Sequence, residues 1–420
     1  MNVEMDEARR DLWRREGFTR RQVLAGAGKV AVAALGAQLV TARAGFAQGT
    51  GTGTLVVLFL RGGVDGLSAV VPADDPHLAA ARPRIGVPSS VLLPLDRGFG
   101  LHPALAPLHE LWKQGKLTAV PAVSTPDVSR SHFQAQDCLE RGGSSAGAVE
   151  GWLDRVLDAL GPGTGFRAVG MGSTLPRALA GDQAPMTIRT VDDFELHVGD
   201  EHRAAAAQAI AALYSGIDHP LAVDAASTLA GLDVARGLAT AGYTPAAGAT
   251  YPDGDVGSRM RELARLVKAD VGLRVACVDI GGWDTHTYQG TVDGGDMKNQ
   301  LTTLGQVLGA FATDLGPRLD DVTLVAMTEF GRRVEQNASG GTDHGHGATV
   351  LVMGGGLAGN AIHGHWPGLA PEALDQGDVA GANDYRDVLG ELVTHRLGLG
   401  AGTLGTIFPG HSFAPLGLTR

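Results

Sequence analysis

Cysteine is almost missing from this chain: Cys138 and Cys277 are the only two among 420 residues. A disulfide scaffold needs more. Cys277 lies inside an apolar strand pattern and Cys138 in a predicted helix, so both are expected as buried free thiols. Positive charge is also in short supply, with 34 Lys and Arg against 45 Asp and Glu. No basic patch stands out, which excludes nucleic acid as an expected partner. Long hydrophobic runs are lacking as well. The Ala/Gly/Val stretch ending at Val40 is too short and too weakly apolar to span a bilayer, and Lys29 interrupts it, so no stable membrane span is expected. Internal repeats are absent too.

What precedes that stretch reads as an address. Thr19-Arg20-Arg21-Gln22-Val23-Leu24 is a twin-arginine pattern behind a charged region, and Ala42-Arg43-Ala44 and Gly45-Phe46-Ala47 offer small-residue cleavage sites. The preferred cut follows Ala47. No cysteine adjoins it, which argues against a lipoprotein anchor. Residues 1–47 are thus read as a twin-arginine signal peptide, with an amphipathic helix as the alternative. The expected partner during export is the twin-arginine translocase, and the expected location is periplasmic or secreted. Removing 1–47 leaves 26 basic against 40 acidic residues. This route is associated with cargo folded before export, which suits a protein that loads a metal in the cytoplasm.

Residues 48–420 are long enough for one large α/β domain. Five apolar runs read as strands buried on both faces: Thr54–Leu60, Leu117–Val123, 274–280, Val322–Met327 and 349–353. They lack clean alternation and are separated by long helical patterns, the signature of a mostly parallel sheet. Helices are expected over 104–112, His132–Arg141, Trp152–Leu160, 201–214, 258–267, 301–315 and 384–397. Residues 216–257, rich in Ala, Gly, Pro and Asp, suggest a small cap or insertion. Glycine, at 62 residues, is about twice its usual share and fits many strand-to-loop turns.

The polar motifs fall at the ends of those strands. Arg61-Gly62-Gly63-Val64-Asp65-Gly66 follows the first and Ser129-Arg130-Ser131-His132 the second. Gly281-Gly282-Trp283-Asp284-Thr285-His286 follows the third and Thr328-Glu329-Phe330-Gly331-Arg332 the fourth. Open α/β sheets bind ligands outside the carboxyl ends of their strands. Gly341-Thr342-Asp343-His344-Gly345-His346-Gly347 packs a carboxylate and two imidazoles into four positions. Carboxylate with imidazole suits Zn, Fe or Mn, whereas carboxylate alone would suit Mg or Ca. The expected ligands are Asp65, Asp284, His286, Asp343, His344 and His346, with Glu329 either a ligand or a structural partner of Arg332 or Arg333. They would hold one or two divalent ions, Zn or Mn favoured.

Ser131 is the candidate nucleophile, at a helix entrance where backbone N–H groups favour an anion. Ser131-His132-Phe133-Gln134 equally has the form of a capping box. Arg130 is the candidate clamp for a phosphate or sulfate oxygen, or else a solvated arginine. The expected substrate is a small anionic ester.

Taken together, the twin-arginine leader, Leu60–Leu67, Arg130–Phe133, Gly151-Trp152-Leu153, Gly281–His286, Glu329–Arg332, Gly341–Gly347 and Asp384-Tyr385-Arg386-Asp387-Val388 resemble the bacterial family called domain of unknown function 1501. The resemblance runs from about Thr19 to Pro409. The family is grouped with the alkaline phosphatase-like superfamily, which includes sulfatases and cofactor-independent phosphoglycerate mutases. That grouping implies a doubly wound α/β fold with a divalent-metal site at the strand ends and hydrolysis of phosphate or sulfate esters. The alternative is a non-catalytic metal- or ligand-binding envelope protein on the same fold. Asp65, Ser131 and Asp284 with His286 follow the superfamily order. Glu329 stands where an Asp-His pair would be expected, so either Glu329 replaces the aspartate or Asp343-His344 reaches back into the site.

Overall fold

Thr54–Leu60 (β1) is buried at every position, which requires cover on both faces and a neighbour on both edges. The computed structural model, which describes residues 53–143, 149–217 and 220–420, supplies both. The expected leader over 1–47 lies outside the described residues. β1 pairs in parallel with Val275–Ile280 (β5) on one side and Val322–Met327 (β6) on the other. The remaining strands of this sheet are Leu117–Ser124 (β2), Ala168–Met171 (β3), Met186–Ile188 (β4), Ala348–Gly354 (β7) and Asn383–Asp384 (β8). Their spatial order is β8-β2-β7-β6-β1-β5-β3-β4. The fold is mixed α/β with a large, mostly parallel sheet, as expected.

One strand breaks the pattern. β7 is antiparallel to both β2 and β6, while every other pairing in the sheet is parallel. Its N-terminal end therefore lies on the same sheet edge as the carboxyl ends of β1, β2, β5 and β6.

Alternation along β1 sends Leu55, Val57 and Phe59 to one face. There they share a core with Trp152, Leu153, Val156 and Leu157 of one helix and Val388, Leu389, Leu392 and Val393 of another. The first is Trp152–Leu160 (α2) and the second Tyr385–Leu397 (α5). Val56 and Leu58 turn to the opposite face. On that side Asp255–Lys268 (α3) packs against β5 and against Asp296–Leu315 (α4). The helix His132–Arg141 (α1) follows β2 and ends on Gly142, whose φ of 77° gives the left-handed cap. Cys138 and Cys277 are buried and free.

Two compact units divide the chain, and residues 48–193 with 237–420 make up the sheet-bearing one. Residues 194–236 belong to the other, with the helix Asp200–Tyr214 inside them. The insertion expected over 216–257 overlaps this segment only in part. No helix among the described residues is long and apolar enough to cross a membrane.

Leu58, with no exposed surface at the centre of the sheet, gives a direct check on the core. Leu58→Ala should cost about 2–5 kcal/mol, read as a lower denaturant midpoint at unchanged slope.

Candidate metal centre

The site is built at the edge where β1, β2, β5 and β6 end and β7 begins. Its carboxylate is Asp284, four residues past β5. Arg332 Nη2 donates to Asp284 Oδ1 at 2.6 Å. Burial opposes ionisation of Asp284, but the bond and charge of Arg332 outweigh it, and its pKa falls to about 2. An anion is thus fixed here at neutral pH.

Three imidazoles converge on that anion. Nε2 of His286 lies 3.1 Å and Nε2 of His344 3.2 Å from Asp284 Oδ1, and the two nitrogens are 2.9 Å apart. His132 brings its Nε2 to 3.5 Å from Asp284 Oδ2. The ligand atoms of His132, Asp284 and His344 all fall within 4.8 Å of one another. For bonds of about 2.0–2.1 Å, the edge of a tetrahedron around Zn is roughly 3.3–3.4 Å. The distances of His132, His286 and His344 to Asp284 lie within a few tenths of that edge.

The other nitrogen of each ring decides the tautomer. His132 Nδ1 donates to Glu329 Oε1 at 2.7 Å, His286 Nδ1 to Asp343 Oδ1 at 3.2 Å, and His344 Nδ1 to the Arg130 carbonyl at 2.9 Å. A carbonyl only accepts, and so does an ionised carboxylate. Each Nδ1 therefore carries a proton, and each ring turns its Nε2 toward Asp284; the bond to Glu329 raises the pKa of His132, while burial lowers that of His344. The Nε2 atoms of His286 and His344, facing at 2.9 Å beside a carboxylate, need a proton or another positive charge between them. With its pKa lowered, His344 holds a proton poorly. His132 Nε2 is buried without a hydrogen-bond partner. A divalent cation would satisfy such a set, and nitrogen-rich donors suit Zn or Mn over Mg or Ca.

Behind the imidazoles stand the groups that orient them, the usual arrangement around a metal. Glu329 is 2% exposed. Its Oε1 also accepts from Gln136 Nε2 at 2.9 Å and Gly62 N–H at 2.9 Å, and its Oε2 from Thr328 Oγ1 at 2.9 Å. Burial resists its charge, yet these bonds bring its pKa to about 2. Asp343 accepts from Asn337 Nδ2 at 3.1 Å, and that bond leads the causes that lower its pKa. The Arg130 carbonyl reaches His344 from a residue held at φ 55°, in the left-handed region.

Of the expected ligands, then, Asp284, His286 and His344 meet. Glu329 and Asp343 stand one layer out. Glu329 pairs with His132, not with Arg332 or Arg333. Asp65 lies apart from these groups: both its oxygens accept from buried Arg82, at 2.6 and 3.0 Å. His346 also departs from expectation; its Nε2 points at the Thr125 carbonyl, 3.4 Å away. Arg130, expected to clamp an anion, directs its guanidinium at buried Asp378, 2.5 Å away. Ser131 precedes α1, and its hydroxyl makes no capping bond. His132 was not among the expected ligands. Its signal was its place, next to Ser131 at the carboxyl end of a strand.

Fold and site together define an α/β protein with a candidate metal site of His132, Asp284 and His344 at the sheet edge, His286 lying beside it. The chain belongs to the family described as protein of unknown function (DUF1501), which it matches over residues 102–383. No curated protein matches it. Among solved structures it is similar to the C-terminal periplasmic domain of EcEptC from Escherichia coli in complex with Zn, at 11% identity over 73% of each chain, TM-score 0.34. It is similar to the PsFucS1 sulfatase from Pseudoalteromonas sp., at 11% identity over 95% of this chain and 77% of that one, TM-score 0.37. It is also similar to alkaline phosphatase from the Antarctic bacterium TAB5, at 10% identity over 86% and 99%, TM-score 0.32. Scores this low do not bear on the chemistry of the site.

Glu329 makes the metal-free protein acid-sensitive. Its folded pKa of about 2 lies below the ordinary 4.5. Its stabilisation, about 3 kcal/mol from that difference, is complete above 4.5 and lost as pH falls toward 2. Chelator-treated Glu329→Gln should start less stable at pH 6 and show a flatter acid limb in denaturant titrations.

Proposed function

We propose that this protein is an exported, metal-dependent hydrolase of phosphate or sulfate esters. The observation that carries the reading is the set of three imidazoles, each with Nδ1 engaged, whose Nε2 atoms converge on ionised Asp284. His132, His286, His344 and Asp284 would hold one divalent cation, Zn or Mn, which supplies Lewis-acid stabilisation of the negative charge that develops in ester cleavage. Glu329, Asp343 and the Arg130 carbonyl keep the rings oriented.

Ser131 is the proposed nucleophile. Its hydroxyl is not spent on the helix cap, and its chain neighbours both serve the site, His132 with a ring nitrogen and Arg130 with its carbonyl. At the entrance to α1, unpaired backbone N–H groups favour an anionic phosphoryl or sulfuryl group. A small anionic ester fits that setting.

A second reading, a non-hydrolytic metal- or ligand-binding protein of the envelope, is favoured by Asp65 and Arg130, both committed to internal ion pairs. Elemental analysis and ester turnover separate the two. Tightly bound Zn or Mn should be present in wild type and lost in His286→Ala and His344→Ala. Ser131→Ala should keep the ion and the melting temperature while turnover of aryl phosphates or sulfates falls by 10³-fold or more. Bound metal without turnover in wild type supports the binding protein, and no bound metal after adding Zn and Mn overturns the hydrolase reading and leaves the ligand-binding one.

Export through the twin-arginine translocase rests on Thr19-Arg20-Arg21-Gln22-Val23-Leu24. Replacing Arg20 and Arg21 by lysine should leave the protein in the cytoplasm on cell fractionation, whereas unchanged export would remove this part of the proposal.

A further inference from the structure

Four polar residues of the loops around the metal centre, Asp65, Ser68, Arg82 and Gln289, are buried together and take no part in the chemistry above. Asp65 is without exposed surface, Arg82 is 2% exposed and Gln289 1%. All five guanidinium N–H groups of Arg82 have acceptors. Two go to Asp65, one to Ser68 Oγ at 3.1 Å, one to the Val334 carbonyl at 2.8 Å and one to the Arg333 carbonyl at 2.9 Å. Asp65 Oδ2 further accepts from Ser68 Oγ and from Gln289 Nε2, each at 2.6 Å.

Gln289 joins this ion pair to the ligand-bearing loops. Its amide nitrogen donates to Asp65 and, at 3.2 Å, to Ser68 Oγ. Its amide oxygen accepts from Thr285 Oγ1 at 3.2 Å and from Thr342 Oγ1 at 2.9 Å. Thr285 sits between Asp284 and His286, and Thr342 two residues before His344. The amide has only one workable orientation. Asp65, bonded bidentate to Arg82, can only accept, so the NH₂ group must face it and the oxygen must face the two hydroxyls. One planar amide thus sets the separation of the His286 loop from the His344 strand, alongside the Thr342 N–H bond to the Thr285 carbonyl at 3.2 Å.

We infer that Gln289 is a positioning residue for the metal centre, anchored by the Asp65–Arg82 pair, which acts as a fixed internal anion and cation. The inference rests on the metal-binding reading and adds to it a residue that touches no ligand. Partners outside the ligands commonly change metal affinity 10–100-fold when removed.

The test is Gln289→Leu, close in size but without the amide, in the full mature protein. Zn²⁺ affinity is measured by competition with a chromogenic chelator, and site geometry by the visible absorption of the Co²⁺-loaded protein. A positioning role predicts Zn²⁺ affinity at least about tenfold weaker and an altered Co²⁺ spectrum. A role in folding alone lowers the melting temperature and leaves affinity and spectrum at wild-type values, which overturns the inference. Thr342→Val, which removes one of the two hydroxyl donors, serves if Gln289→Leu fails to fold; it should weaken Zn²⁺ binding by a smaller factor, and wild-type affinity there overturns the inference equally. A wild type that takes up neither Zn²⁺ nor Co²⁺ defeats the metal reading itself, an outcome distinct from a wild type and variant that bind alike.

Discussion

A single buried guanidinium holds the mouth of this sheet in place. Arg332 has no exposed side-chain surface, and its donors reach three separate segments. Nε bonds the Gly63 carbonyl at 2.5 Å and Nη1 the Thr342 carbonyl at 3.0 Å. Nη2 bonds the carbonyls of Gly62 and Trp283 and the carboxylate of Asp284. A lysine could not do this, because the reach depends on several donors in one rigid plane. Burying the charge is costly, and only full satisfaction of the fork with an anion beside it makes the cost bearable. The segments that carry Asp284 and His344 are therefore fixed to one another before any ligand arrives. Asp284 is held ionised by the same contact, so the centre is preorganised in charge as well as in position.

Topology supplies the other half of that arrangement. In a wholly parallel sheet, a motif placed just before a strand lies at the edge opposite the strand ends. Asp343 and His344 precede β7, and only because β7 runs against its neighbours do they arrive where β5 and β6 finish. Close approach of the loops then demands residues without side chains. A Cβ on Gly62 would press on the backbone of Asp284, and one on Gly341 on the carbonyls of Thr285 and His286. The glycine richness of these two motifs is a packing requirement at the place where the loops cross.

Long buried strands and amphipathic helices were legible in the sequence because each carries its own periodicity. Thr54–Leu60, Val322–Met327, His132–Arg141 and Trp152–Leu160 match the expected bounds. Ala168–Met171, Met186–Ile188 and Asn383–Asp384 went unseen; two to four residues hold too little pattern to separate a strand from a loop. The site was legible as a place and less so as a set of roles. Strand-end position marked Asp284, His286, His344 and also Asp65, and nothing local reveals that Arg82, 17 residues further on, takes both oxygens of Asp65. His132 was hidden by its neighbour Ser131, whose resemblance to a cap or nucleophile drew the reading.

The division of labour among the acidic groups follows from what each meets on its second side. Asp284 faces Arg332 on one side and ring nitrogens on the other, which suits it to ligate a cation. Glu329 and Asp343 face the protonated nitrogen of a ring, and their remaining capacity goes to amides and hydroxyls, which makes them guides for ligands. Asp65 faces a complete guanidinium fork and serves neither purpose directly. Composition cannot separate these three fates, since an aspartate two residues from a histidine reads alike whichever ring nitrogen it meets. The proton on Nδ1 is what separates them. Wherever a carboxylate or carbonyl fixes that proton, the opposite nitrogen turns toward the centre, and three rings so fixed around one ionised aspartate offer donors of the kind that suit a divalent cation.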